Sequence, residues 1–192
     1  MSLFIVNARR QGEFVVKHSR FIAILAPCSD SEELKGFLSE LASAHPQAAH
    51  IAYAFRFLTP EGLRERAYDA GEPSGTAGRP ILQHLQGRQV INACLAVVRY
   101  FGGIKLGTGG LARAYGQAAR CVLESATLEP YIAYHALEIE IDYSRLPFFN
   151  HLANAIGAKV AAVEYGPTVK ARVHVPQSQI EAVRQLLRLD AA

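Results

Sequence analysis

The chain of 192 residues is half apolar and 19% charged, the composition of an ordinary globular protein with enough apolar surface to offset chain entropy, which excludes a largely disordered polymer. A net charge of +3, the interruption of the first apolar run by Arg9 and Arg10, and the lack of any apolar stretch near a bilayer's thickness speak against a leader or a membrane span. A cytoplasmic location is expected, and the length leaves one or two domains open.

In chain order, Ser19–Ala26 is a short apolar run rich in β-formers and closed by Pro27, which predicts a buried strand. Asp30 with Glu33 three residues on is a capping-box pattern, opening a helix in which Leu34, Phe37, Leu38 and Leu41 share a face. Ala44–Pro46 ends it. From His50 to Leu58, Ile51, Tyr53, Phe55 and Phe57 alternate with His50, Ala52, Ala54 and Arg56, predicting a strand with one apolar face. Leu63–Tyr68 is its hairpin partner across the Thr59–Gly62 turn. Ile81, Leu82 and Leu85 indicate a short helix, and the almost wholly apolar Val90–Val98 a central strand covered on both faces. Thr108 is then placed as the cap of a helix with Leu111, Tyr115, Ala118 and Val122 inward and Arg113, Gln117, Arg120 and Glu124 outward. The fold class is α+β, a sheet layered against helices.

Leu128-Glu129-Pro130 marks the expected boundary between a domain at 1–129 and a second at 130–192. Beyond it Leu137, Ile139, Ile141 and Tyr143 alternate with Glu138, Glu140 and Asp142 as in a half-exposed strand. A helix from about Ser144 to Ile156, strands to Tyr165 and over Val169–Val175, and a last helix after Pro176 complete the order β-α-β-β-α. That is most of a ferredoxin-like unit without its final strand.

Cys28, Cys94 and Cys121 are widely spaced with no C-x-x-C pair, as for buried reduced thiols. The seven histidines lack metal-ligand spacing, so neither a metal nor a cofactor is expected. The charge is unevenly placed. Residues 1–129 carry 14 Lys or Arg against 11 Asp or Glu, whereas 130–192 carry 6 against 6. Pro73–Leu123 contains no acid but holds Arg79, Arg88, Arg99, Lys105, Arg113 and Arg120, which points to an anionic partner.

Two glycine-rich loops carry the candidate site. The first, Asp69–Pro80, includes Asp69, Glu72, Ser74, Gly75, Thr76 and Gly78; its glycines permit close approach to backbone N–H groups, where an anion could rest, with Asp69 and Glu72 offering oxygens to a hydrated Mg²⁺ beside it. The competing reading is a rigid connector in which Glu72 caps the following helix. The second, Arg99–Gly110, leaves the central strand and enters a helix, aligning backbone donors with the helix's positive end. It matches neither G-x-x-x-x-G-K-[ST] nor G-x-G-x-x-G. With Arg79, Arg99, Lys105 and Arg113 around it, Tyr100 alongside, and Gly102, Gly103, Gly107, Thr108, Gly109 and Gly110 within it, the loop suits a nucleic-acid backbone. No catalytic residue is assigned, because neither Ser74 nor Thr76 lies in a nucleophile elbow.

The stretches Lys17–Ala23, Asp69 with Gly71–Pro80, and Arg99–Gly107 through Gly109–Leu111 to Ala114–Gly116 resemble the IMPACT family, in particular its bacterial members. Ala70 departs from the family's pattern, which commonly has two acids before the first loop's glycine. The resemblance implies an amino-terminal ribosomal protein S5 domain 2-like fold and a carboxy-terminal ferredoxin-like domain similar to one in translation elongation factor G. Eukaryotic relatives regulate translation initiation through a protein activator of a kinase, but carry an additional RWD domain for which this chain is expected to have no room.

These readings together favour a non-enzymatic protein that binds RNA or the ribosome through Arg79, Arg99, Lys105 and Arg113, in translation regulation, with no membrane partner. The alternatives are an enzyme or sensor for a phosphorylated ligand and a protein-interaction scaffold.

Overall fold

The computed structural model describes residues 2–187. The chain divides between Tyr131 and Ile132 into two compact units. It is a mixed α/β protein.

In the first unit, after a short β1 (Phe4–Ile5), β2 (Arg10–Val16) and β3 (Ser19–Pro27) form a hairpin, α1 (Ser31–Ala44) follows, and β4 (His50–Thr59) and β5 (Gly62–Tyr68) form a second hairpin. Then come α2 (Gly78–Gly87), β6 (Ala93–Tyr100), α3 (Gly107–Ser125) and a short β7 (Glu129–Pro130) that pairs with β1. The sheet order is β2-β3-β6-β4-β5, antiparallel throughout. Strand β6 is therefore central, as its apolar run requires, but it begins at Ala93; Val90 and Ile91 are buried outside it.

Helices cover both faces of the sheet. On one, Phe21, Leu25, Leu95 and Val97 pack with Ile81 and Leu85 of α2 and with Leu111, Tyr115 and Val122 of α3. On the other, Ile22, Ile24, Phe55 and Phe57 pack with Leu34, Phe37 and Leu41 of α1. This corrects the expectation for β4. Its second face is buried too, because Ala52 and Ala54 are small enough to admit the α2–α3 layer. Arg56 on that face is 5% exposed and donates to the Leu85 and Val90 carbonyls and to Glu65.

Two capping expectations change. Asp30 caps α1 through the N–H groups of Glu32 and Glu33, but Glu33 reaches back to the N–H and hydroxyl of Ser29, not to Asp30. Thr108 lies inside the first turn of α3; Leu106 occupies the cap position and no side chain caps the helix. The strand β2 was not legible as such, since it is an edge whose alternating Gly12, Phe14 and Val16 are only half-buried.

The second unit runs β8 (Tyr134–Ile141), α4 (Leu146–Ala155), β9 (Lys159–Tyr165), β10 (Val169–Pro176) and α5 (Ile180–Leu187). Its sheet order is β8-β10-β9. Ile139, Ile141, Val169 and Val173 on one face pack with Phe149 and Ala153 of α4 and Val183 of α5. Gly157 ends α4 at φ +68°, as its position after the helix predicts.

Candidate nucleic-acid interface

The site is held by a framework that joins the family-like stretches. Lys17 and His18 form the two-residue turn between β2 and β3, with φ of +45° and +62°, the twist that a tight hairpin requires. This turn lies directly against Gly102. A Cβ there would sit 2.0 Å from the His18 carbonyl carbon, so only glycine fits, and the Gly102 N–H donates to Ser19 Oγ at 3.1 Å.

The first loop is fastened internally. The Asp69 carboxylate accepts the N–H groups of Gly75, Ala77 and Gly78 at 2.8, 3.0 and 2.9 Å, stapling the loop to the start of α2. Burial pushes this carboxyl upward, but the three donors outweigh it and hold it below the usual range. Thr76 is buried and donates to the Pro73 carbonyl, while Ser74 is exposed. At Gly78 a Cβ would meet the Tyr68 backbone nitrogen at 2.4 Å, so α2 starts in close contact with β5.

Glu72 joins this loop to the second. Its side chain is 3% exposed, and Oε1 accepts from Arg99 Nη1 at 2.6 Å and from the Tyr115 hydroxyl at 2.7 Å. Burial and the bond to Glu72 raise the Tyr115 pKa well above its ordinary value. The Arg99 side chain is 7% exposed, with its guanidinium carbon 5.5 Å from the ring centroids of both Phe21 and Phe101. His50 Nδ1 donates to the Ala70 carbonyl at 2.8 Å and its Nε2 lies 3.9 Å from Glu72.

Several expectations are corrected here. Arg99 is spent on a buried ion pair and cannot meet a phosphate. Glu72 neither caps α2 nor offers oxygens to a metal, since its carboxylate serves Arg99 and Tyr115. Asp69 is directed at three N–H groups of its own loop, which also removes those donors from any anion. Tyr100 is half-buried with its hydroxyl 2.8 Å from His45 Nδ1, so it is an internal partner and not a base platform. Among the described residues no three potential metal ligands converge.

The remaining basic residues lie elsewhere. Arg79, Lys105 and Arg113 are exposed, as are Gly103, Gly107, Thr108 and Gly109, and Gly110 is half-exposed. An open groove of about 790 Å³ runs between the β2 end and helices α2 and α3. Lys17, Arg113 and Arg120 supply its charge, the His84 imidazole lies among them, and no carboxylate lines it. Its floor is apolar, including Phe14, Val16, Pro80 and Leu106. Arg113 Nη1 lies 3.6 Å from where a Cβ on Gly109 would stand, which places its guanidinium beside the uncapped first turn of α3. Arg120 is shared with Glu124 at 2.8 Å, just outside the lining.

Of these residues only Arg113 is a site residue on sequence grounds; Lys17, His84 and Arg120 are added by the structure. The available signal was spacing: Arg120 follows Arg113 by seven residues and so shares its helix face. Lys17 comes from a hairpin turn, and its proximity is visible only in the fold. Burial, then Arg120 and Arg88, lower the His84 pKa against an opposing effect of Glu124.

The Impact N-terminal domain family model matches residues 17–123. The chain is 34% identical over 166 residues to IMPACT family member YigZ of Escherichia coli, covering 86% of this chain and 81% of that protein. It is 32% identical over 181 residues to IMPACT family member YvyE of Bacillus subtilis, covering 94% and 83%. A solved structure described as a hypothetical protein aligns with a TM-score of 0.69 at 31% identity, covering 97% of this chain and 93% of the other.

Proposed function

The chain belongs to the IMPACT family, and from that premise we propose that its first unit is a non-catalytic binding module for RNA, free or in the ribosome, acting in the cytoplasm in the regulation of translation. The observation that carries this reading is the groove lined by Lys17, His84, Arg113 and Arg120 without a carboxylate. Phosphates neutralise such a cluster and release their counterions. Arg79 and Lys105, next in the chain to Pro80 and Leu106 of the groove, extend the positive field. The uncapped N–H groups at the start of α3, beside Arg113, add donors of the kind that phosphate oxygens accept. The translational setting is carried over from the eukaryotic relatives of the family as part of this reading. On the same footing we assign the first unit to the S5 domain 2-like fold and the second to the ferredoxin-like fold, in agreement with the β8-β10-β9 order.

The test is binding of RNA across a salt series. Wild-type affinity should fall steeply with salt, and the paired substitution Lys105→Ala with Arg113→Ala should reduce the log–log slope by about 1–2. Lys17→Ala with Arg120→Ala should do the same. No binding of RNA or ribosomes at low salt would overturn the proposal.

A further inference from the structure

Strand β9 exposes all seven of its residues and lies at a sheet edge, bonded on one side to β10. Its sequence, Lys-Val-Ala-Ala-Val-Glu-Tyr, has no proline and only two charges. An open edge of this kind presents unpaired N–H and C=O groups to any strand that fits it.

The faces of β9 follow from its register with β10. Tyr165 and Val163 stand opposite Val169 and Ala171, which are buried beneath the helices, so they share that side. Arg172 then faces Ala162, whereas Val173 faces Val160, leaving Ala161 as an extra residue in β9. The bulge returns Val160 to the helix side, opposite buried Val173. Lys159, Ala162 and Glu164 take the other side. The helix side of β9 is poorly covered, with Val160 44%, Val163 36% and Tyr165 69% exposed. Tyr143, itself exposed, extends this apolar strip by stacking on Tyr165 at 6.5 Å.

We propose that β9 pairs antiparallel with β9 of a second copy of this chain, about a two-fold axis normal to the sheet, joining two three-stranded sheets into one of six strands. Such an interface is isologous, so residues must match themselves in reverse. One register also sets opposite charges against each other. Lys159 stands opposite the second copy's Glu164, Val160 opposite Val163, and Ala161 opposite Ala162, and each pair occurs twice by symmetry. In a regular strand residues five or three apart lie on opposite faces and this register would be forbidden. The bulge at Ala161 puts Lys159 with Glu164 on one face and Val160 with Val163 on the other. Sliding by one residue sets Lys159 against Tyr165, which is on the wrong face.

Charge complementarity therefore selects a second copy as the occupant. In the single chain the Lys159 ammonium lies 4.8 Å from the Tyr134 ring centroid, an exposed contact with which a facing carboxylate competes. A junction this short falls among interfaces below about 1,200 Å², so the dimer depends on concentration.

Sedimentation or light scattering on the full chain decides the matter. The mass should rise from 20.9 kDa toward twice that value with concentration. Lys159→Glu alone and Glu164→Lys alone should each stay monomeric, with circular dichroism confirming the fold. An equimolar mixture of the two variants should dimerise, because every contact then joins opposite charges. Val163→Lys provides an independent loss. A wild-type chain that stays monomeric, single reversals that dimerise as wild type does, or a mixture that fails to associate would each overturn the proposal.

Discussion

Replacing Glu72 with alanine separates a structural carboxylate from a functional one. Glu72 and Arg99 are 3% and 7% exposed, and removing one partner of such a buried pair leaves the other charge uncompensated, at about 3–5 kcal/mol. Arg99 has little else to turn to, since its Nε already lacks a partner among the described residues. The Tyr115 hydroxyl also loses its acceptor, and an unpaired buried hydroxyl costs about 1–3 kcal/mol, though the two effects share atoms and do not add fully. Taking about 4 kcal/mol, the melting transition of the first unit should fall by about 8–16 °C. Replacing all three members, Glu72→Leu with Arg99→Met and Tyr115→Phe, should recover most of that loss, because the desolvation penalty disappears with the charges and no hydroxyl is left unpaired. Thermal and urea melts followed by circular dichroism give the stabilities, and RNA titration at a temperature where the variants are folded gives function. Affinity for RNA should be unchanged. A Glu72→Ala protein that melts within about 3 °C of wild type yet loses binding would refute the reasoning and mark the carboxylate as facing the ligand.

Gly102→Ala should destabilise the first unit at or above the upper end of the roughly 1–3 kcal/mol usual for overpacking, since its Cβ would lie 2.0 Å from His18 backbone; chemical melts would show it. The half-buried His84 should make stability depend on pH. Its folded pKa is lowered, first by burial and then by Arg120 and Arg88, so its contribution is complete above the ordinary value of about 6.5 and is lost as pH falls through the folded value. Urea melts in a pH series should lose less stability across that window in His84→Gln than in wild type.

How much was legible depends on what kind of signal each element carries. Helix α1, strand β4 and the inward stripe of α3 follow from periodicity, because an apolar face must repeat with its element's own pitch, while β3 follows from its unbroken apolar run and β5 from the turn before it. The burial of both faces of β4 was hidden, since alanine reads as neutral and Arg56 as exposed, and only the packed helices show that Ala52 is core and Arg56 ties down two carbonyls. Composition found the basic segment Pro73–Leu123 but not its division. Within it Arg99 is turned into the protein and Arg113 out of it, and a difference of this kind depends on a partner, Glu72, 27 residues away.

That division bears on what the glycine-rich loops mean. As sequence they suggest places where a ligand meets backbone donors, yet the donors of the first are occupied by Asp69 and the Gly102 N–H of the second by Ser19. Their glycines admit neighbouring backbone, from His18 at one site and Tyr68 at the other, and Glu72 then joins the first loop to Arg99 and to the helix that follows the second. These stretches thus build the scaffold of the first unit. The groups that can face an anion, Lys17, Arg113 and Arg120, the last of them shared with Glu124, stand on the surface that this scaffold holds in place. Two of the three lie on the outward face of α3, where substitution leaves the core untouched. Binding can therefore change there without cost to the fold, whereas changes at Glu72 or Gly102 alter stability first and binding only through it.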